Sequence, residues 1–233
     1  MSHERTEVNT DEPVVHTLDR LEDVPEPTPA GDFVVIDVII SSTSIVQLFE
    51  ADAAYVKPFA NVDTALAFAE TTNDAFLVGE QEGRAIDGFD SGPLPSVLDT
   101  HNIEERPVGI LTSNGTRAVE RIGYDREIFV ASTVNAAAIA SALEGRGRDV
   151  WLVAAGRRGN PTPEDSAGVE LVKRHFSGNL TETAEETIKT DIRTSGTARW
   201  LTELGFEHEV EQLLQFNSSD IVPRMKNGVF GTV

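Results

Sequence analysis

From Asp32 to Phe176 short apolar runs alternate with amphipathic ones, and this alternation constrains the fold more than any other feature of the chain. Strand-like runs cover Phe33–Ile40, Ala54–Phe59, Ala75–Val78, Val108–Leu111, Ile128–Ala131 and Val150–Ala155. Helix-like runs follow most of them, at Ser44–Glu50, Val62–Thr71, Thr116–Ile122, Ala136–Leu143 and Asp165–Phe176. Parallel strands need a long crossover between them, usually a helix. The pattern therefore predicts an α/β fold: a mainly parallel sheet covered by helices, in three α/β/α layers. Ahead of it, Met1–Pro13 is polar and acidic and reads as a tail, and Val14–Thr17 as a short edge strand. Val24–Gly31 has proline at every second position from Pro25 to Pro29, cannot continue a helix and reads as a linker. Residues 1–31 are thus tail and linker, and 32–233 the domain.

A faint internal repeat runs through the alternation. A strand, Ser42-Thr43, a helix, a strand ending at Phe59 and Asn61 before Val62–Thr71 form one unit. A strand, Asn114-Gly115-Thr116, a helix, a strand ending at Ala131 and Asn135 before Ala136–Leu143 form the other. Both asparagines are placed as helix N-caps. Two similar packed halves would bring the Ser/Thr turns to equivalent strand ends, where open α/β sheets form their ligand crevices.

The charge balance excludes several functions. With 39 acidic and 19 basic residues the formal charge is −20, which opposes sequence-independent nucleic-acid binding and repels an anionic membrane. Such a surface suits a salt-rich cytoplasm where counterions screen self-repulsion, so a halophilic protein is expected. The absence of cysteine removes thiolate catalysis and Cys-ligated zinc. His3, His16, His101, His175 and His208 form no pair at metal-ligand spacing. No run approaches the ~20 apolar residues of a membrane span and no signal-peptide pattern opens the chain, so a cytoplasmic location is expected.

Val108–Ala118, with the sequence Val-Gly-Ile-Leu-Thr-Ser-Asn-Gly-Thr-Arg-Ala, is the most telling stretch. A strand entering a Ser/Asn/Gly/Thr turn and then a helix aims N–H groups, hydroxyls and the positive end of the helix dipole at one point, a site for an anion such as phosphate. Phe33–Ile40 leads into Ser41–Ser44 in the same way, with Asp37 near the turn. An acid inside so apolar a run is costly to bury unless paired, hydrogen-bonded or bound to metal. Gly79-Glu80, Gly88-Phe89-Asp90-Ser91-Gly92 and Ala155-Gly156-Arg157-Arg158-Gly159, the last leading to Glu164-Asp165, complete the set. Plainer readings stand beside these: Ser, Thr and Asn cap ordinary helices, Glu164-Asp165 suits a helix start, Asp90 a turn, and Arg117 a solvated helix face.

In this order the clusters resemble the 2-phosphosulfolactate phosphatase family, the ComB-like proteins of coenzyme M biosynthesis, from about Val34 to the C-terminus. Thr112–Ala118 is the most specific part. Val35-Ile36-Asp37-Val38 with Ser42-Thr43, Gly88-Phe89-Asp90, Asn135-Ala136, Ala155-Gly156, Glu164-Asp165, Ala167-Gly168, Leu201, Leu204-Gly205 and Val222-Pro223 support it. The resemblance implies Mg²⁺-dependent hydrolysis of a phosphate monoester on a small acidic substrate. Asp37, Glu80, Asp90, Glu164 and Asp165 are then the metal candidates, since Mg²⁺ prefers carboxylates, waters and phosphate oxygens. Ser42, Thr43, Ser113, Asn114, Gly115, Thr116 and Arg157 are candidates to hold the phosphate, and Asp37, Asp165 and Arg117 to act in catalysis. The nucleophile is a metal-bound water or a carboxylate. Ile40 stands where the family usually has Arg, and Gly92-Pro93-Leu94-Pro95 where it has Gly-Asn-Ser-Pro, so the substrate is less fixed than the family. The competing reading is a non-catalytic relative that binds a phosphorylated metabolite. Either reading leaves room for a homodimer.

Overall fold

The computed structural model describes residues 13–233. Its first stretch contains β1 (Val15–Leu18), β2 (Asp32–Ile36), α1 (Ser41–Glu50), β3 (Tyr55–Pro58), α2 (Val62–Thr71) and β4 (Phe76–Gly79). Then come α3 (Pro95–Leu98), β5 (Pro107–Leu111), α4 (Gly115–Ile122), β6 (Glu127–Ala131), α5 (Ala136–Leu143) and β7 (Val150–Ala154). The chain ends in α6 (Pro163–Ser177), α7 (Glu182–Arg193), α8 (Gly196–Glu203), α9 (Glu207–Leu213) and the hairpin β8 (Pro223–Lys226) and β9 (Val229–Thr232). The nine strands form one sheet in the order β1-β7-β2-β6-β8-β9-β3-β5-β4. Pairing is parallel except where the hairpin meets β6, β3 and itself. All five residues of β2 are buried because both faces of the sheet are covered.

Counted outward from the hairpin, one side of the sheet reads β6-β2-β7 and the other β3-β5-β4. Matching β2 with β5, β3 with β6 and β4 with β7 makes the two orders identical. The internal repeat is therefore two half-sheets around a pseudo-twofold axis, with α1 and α4 crossing between them. Three successive antiparallel pairings set the half-sheets in opposite senses. Twist of about 20–25° per strand, accumulated over the five steps from β2 to β5, tips the carboxyl ends of both strands onto one face. There the turns after β2 and β5 meet: Thr112 Oγ1 donates to Ser41 Oγ at 3.1 Å.

Three expectations are revised. The run Phe33–Ile40 is strand only to Ile36, because the next backbone N–H groups are taken by side chains: Asp37 N–H donates to Ser42 Oγ and Val38 N–H to Asp165 Oδ1, each at 2.9 Å. The acidic tail lies outside the described residues except for Pro13, but residue 32 does not open the fold. Val15–Leu18 is the edge strand paired with β7, and Leu21 and Val24 are buried in the core, so the proline segment connects parts of one domain. Asn61 caps α2, accepting from Thr64 N–H. Asn135 holds the N-cap position of α5 as expected, but its side chain accepts from Ser132 N–H across a short 3₁₀ turn rather than from the helix. Helices α7–α9 and the hairpin go unannounced in the strand–helix alternation. No helix among the described residues is long and apolar enough to cross a membrane.

Candidate active site

The loops at the carboxyl ends of β2, β4, β5 and β7 line a small cleft of about 50 Å³. Each half-sheet builds its share by the same device. The first N–H beyond the strand is taken by a hydroxyl from the second residue of the next helix: Asp37 N–H by Ser42 and Thr112 N–H by Thr116. The second N–H beyond the strand is taken by a carboxylate: Val38 N–H by Asp165 and Ser113 N–H by Glu80. Asp165 also accepts from Gly156 N–H at 3.0 Å, and Glu80 from Gly83 N–H at 2.6 Å and Ser113 Oγ at 3.0 Å. Both acids are clasps that fix the turns around the cleft, and both are buried.

The helix starts meet at the pseudo-axis, where the approach is so close that a Cβ on Gly115 would lie 2.2 Å from Ser41 Oγ. The Gly115 backbone amide lies beside the Asp37 carboxylate and favours its ionised form. Within the Ser113–Thr116 turn, Ser113 N–H is thus taken by Glu80 and Thr116 N–H by Thr112 Oγ1, and the backbone N–H of Asn114 is taken by neither. Ser42 and Thr43 are buried, and the Thr43 hydroxyl donates to Val38 C=O at 2.7 Å. Of the residues expected to cradle phosphate, Ser113, Asn114 and Arg157 line the cleft, whereas Ser42, Thr43, Gly115 and Thr116 do not.

Of the acids proposed for metal, Asp37, Glu80, Glu164 and Asp165 line the cleft and are all buried. Asp90 does not: it is exposed and accepts from Leu77 N–H at 2.7 Å, bracing β4. Arg117 is exposed on α4 and does not line the cleft. Burial, with the charges of Asp165, Glu80 and Glu164, holds the Asp37 carboxyl well above the usual range against the Gly115 N–H. Burial, then the Glu164 charge, pushes Asp165 up to about 7, opposed by Val38 N–H and Gly156 N–H. Among the described residues no three acidic or histidine side chains converge tightly enough to enclose a metal ion. The donor set still suits a hard cation that takes one or two protein carboxylates and completes its shell with water and phosphate oxygens.

The remaining walls are less acidic. Ile39, Ile40 and Trp200 supply apolar surface, and Arg157 and Arg158 the positive charge. Ile40 has φ 97° and ψ −88°, a conformation a β-branched residue rarely adopts. It is the extra residue of the first turn: four residues separate Ile36 from α1, three separate Leu111 from α4. Glu82, Arg158 and Trp200 were not singled out as site residues from the sequence. The Glu-Gly and Arg-Gly pairs at 82–83 and 158–159 carry a tight-turn signal that pointed to the first two.

The sequence profile described as 2-phosphosulpholactate phosphatase matches residues 18–228. The chain belongs to that family. A probable 2-phosphosulfolactate phosphatase of Thermotoga petrophila is 31% identical over 215 residues, covering 88% of this chain and 93% of its own. The 2-phosphosulfolactate phosphatase of Methanocaldococcus jannaschii is 32% identical over 204 residues, covering 81% and 86%. A probable 2-phosphosulfolactate phosphatase of Deinococcus radiodurans is 30% identical over 217 residues, covering 83% and 87%.

Proposed function

We propose that the protein is a Mg²⁺-dependent phosphatase that hydrolyses the phosphate monoester of a small acidic hydroxy acid, 2-phosphosulfolactate or a near relative of it. Family membership supports the reaction class. The observation that carries the reading is the gathering of four buried carboxylates and Arg157 in one cleft at the meeting of two helix starts. Such a cluster opposes its own ionisation, and a bound cation would relieve the repulsion.

Asp37 and Glu164 are the residues that would hold the metal. Both oxygens of Asp165 and of Glu80 already accept protein hydrogen bonds, so these two acids shape the site from behind. Bound there, Mg²⁺ would lower the charge on the phosphoryl oxygens and the pKa of a coordinated water. The Arg157 guanidinium would hold phosphoryl oxygens, and the Asn114 amide would add a donor beside it. Ile39, Ile40 and Trp200 would keep bulk water off the reacting group.

The deciding assay is phosphate release from 2-phosphosulfolactate and a panel of phosphorylated hydroxy acids, in molar salt, with Mg²⁺ and with a chelator. Release that depends on Mg²⁺ is expected. Undiminished release after chelation would remove the metal from the proposal. Tight binding without release would make the protein a binding module.

A further inference from the structure

Two turns at the mouth of the cleft match in geometry and oppose each other in charge. Gln81–Arg84 follows β4 and Arg157–Asn160 follows β7, strands at equivalent places in the two half-sheets. In each, the outer residues exchange backbone hydrogen bonds, at 2.9 and 3.1 Å in the first turn and 2.8 and 3.0 Å in the second. In each, both central residues have positive φ: 54° and 75° at Glu82 and Gly83, 51° and 74° at Arg158 and Gly159. These are the dihedral signs of a tight two-residue hairpin turn, which holds its first central side chain in a defined direction. Glu82 and Arg158 occupy that same position, both line the cleft, and they form an ion pair across its mouth.

This pair differs from the rest of the site. The other lining acids are buried, whereas Glu82 and Arg158 are 53% and 70% exposed. Arg158 holds the Glu82 carboxyl below its usual range by hydrogen bond and charge, with further charge from Arg157 and Arg117. Glu82 is therefore an ionised carboxylate resting on a guanidinium at the entrance of a site proposed to take an acid. An exposed pair is weak and exchanges readily, while a guanidinium is shaped to receive a planar carboxylate or another oxyanion in bidentate fashion.

We infer that Arg158 reads the substrate's carboxylate, and that Glu82 is a built-in stand-in which that carboxylate displaces. The inference rests on the phosphatase reading and adds a specificity device to it. Arg158 is placed to select between substrates, and Glu82 to compete with them.

The test compares 2-phospholactate with isopropyl phosphate, which has a methyl group in place of the carboxylate. Arg158→Gln should reduce the preference for 2-phospholactate, taken as the ratio of the two kcat/KM values, by about 10- to 100-fold, mostly through KM. Arg158→Lys should give an intermediate loss. Glu82→Gln should lower KM for 2-phospholactate several-fold without the same gain for isopropyl phosphate. An unchanged ratio in Arg158→Gln, or Glu82→Gln that weakens both substrates equally, would overturn the inference. Should the wild type hydrolyse neither compound but release phosphate from 2-phosphosulfolactate, the phosphatase reading stands; should it release phosphate from none of the three, that reading fails on its own. Calorimetric Kd values for the same two compounds and variants then decide the role of Arg158.

Discussion

The two half-sheets use the same local device and assign it different chemistry. After β2 the first residue is Asp37; after β5 the equivalent residue is Thr112. The tight turn of one half carries Arg158, that of the other Glu82. The second residue of each helix supplies the hydroxyl that fixes the strand end, and each half supplies one carboxylate clasp. What is shared fixes the turns, and what differs sets the charge presented to the cleft. Symmetric construction holds an asymmetric set of charged groups in register, so function is to be sought where the halves disagree.

The largest expected effect follows from the first disagreement. Asp37→Asn should reduce phosphate release by ~10³-fold or more, because the amide keeps the shape but carries no charge for a cation. Its equivalent, Thr112→Val, should leave most of the activity, with stability lowered by about 1 kcal/mol for the lost hydrogen bonds. Assays of both variants in parallel measure the contrast. Equal losses would mean that Asp37 is as structural as Thr112 and that the metal belongs elsewhere.

The second effect is on the axis itself. Gly115→Ala would set a Cβ 2.2 Å from Ser41 Oγ and 2.5 Å from Ser41 Cβ, so one helix start must move away from the other. Overpacking of this kind costs about 1–3 kcal/mol, roughly 3–10 °C in Tm for a domain of this size, and activity should fall with it. Ser41→Gly in the same chain should recover much of the loss by clearing the space. A double variant no better than Gly115→Ala alone would show that the helices do not meet as closely as described.

Much of this was legible in the sequence, and the failures are instructive. Six apolar runs became six strands because a strand buried on both faces must be continuously apolar, and helix starts were marked by side chains such as Asn61. The repeat was visible because Ser/Thr turns recur at equivalent strand ends. The turn after β5 shows a limit of such a signal: N–H groups that attract an anion do not say whose anion it is, and at Ser113 it is the protein's own Glu80. Strand β2 was drawn too long because Val38–Ile40 are as apolar as a strand, while the acid that ends the strand lies at position 165. The stretch forming α7–α9 is mostly polar, yet Ile188 and Ile192 four apart and Ala198 and Leu201 three apart set a helical period that could be read from the sequence. Likewise Asn227-Gly228, between Met225-Lys226 and Val229-Phe230, was a readable hairpin signal for β8 and β9.

A third prediction concerns protons in the first half, which carries both Asp37 and Asp165. The folded Asp165 pKa of about 7 lies well above the usual carboxylate range, so the native state holds a proton that the unfolded chain has released. Stability from this group is therefore fully present at acid pH and falls as pH rises from about 4 to about 7. Metal-free protein should melt several degrees lower at pH 8 than at pH 5, and added Mg²⁺ should recover part of the loss at pH 8. Asp165→Asn should melt lower at pH 5, where one backbone N–H loses a good acceptor, but decline less steeply with pH. A wild-type midpoint that rises from pH 5 to pH 8, or a variant with the same slope, would dissociate Asp165 from the effect.

The smallest effect sits at the one-residue difference between the turns. Ile40 is the additional residue, and φ 97° with ψ −88° costs a β-branched side chain about 1–3 kcal/mol. Its side chain is half-buried against the core, so truncation forfeits ~1 kcal/mol of apolar burial, and glycine adds about 0.5–1 kcal/mol of unfolded-state entropy. These terms nearly cancel, and Ile40→Gly should shift Tm by no more than about 3 °C in either direction. The adjacent Ile39 has no positive φ and is 5% exposed, so Ile39→Ala should cost the full ~2–5 kcal/mol of a core truncation. Thermal melts of the two variants side by side measure the strain at the junction. If Ile40→Gly falls as far as Ile39→Ala, position 40 stores no strain, and the extra residue is accommodated by ordinary packing.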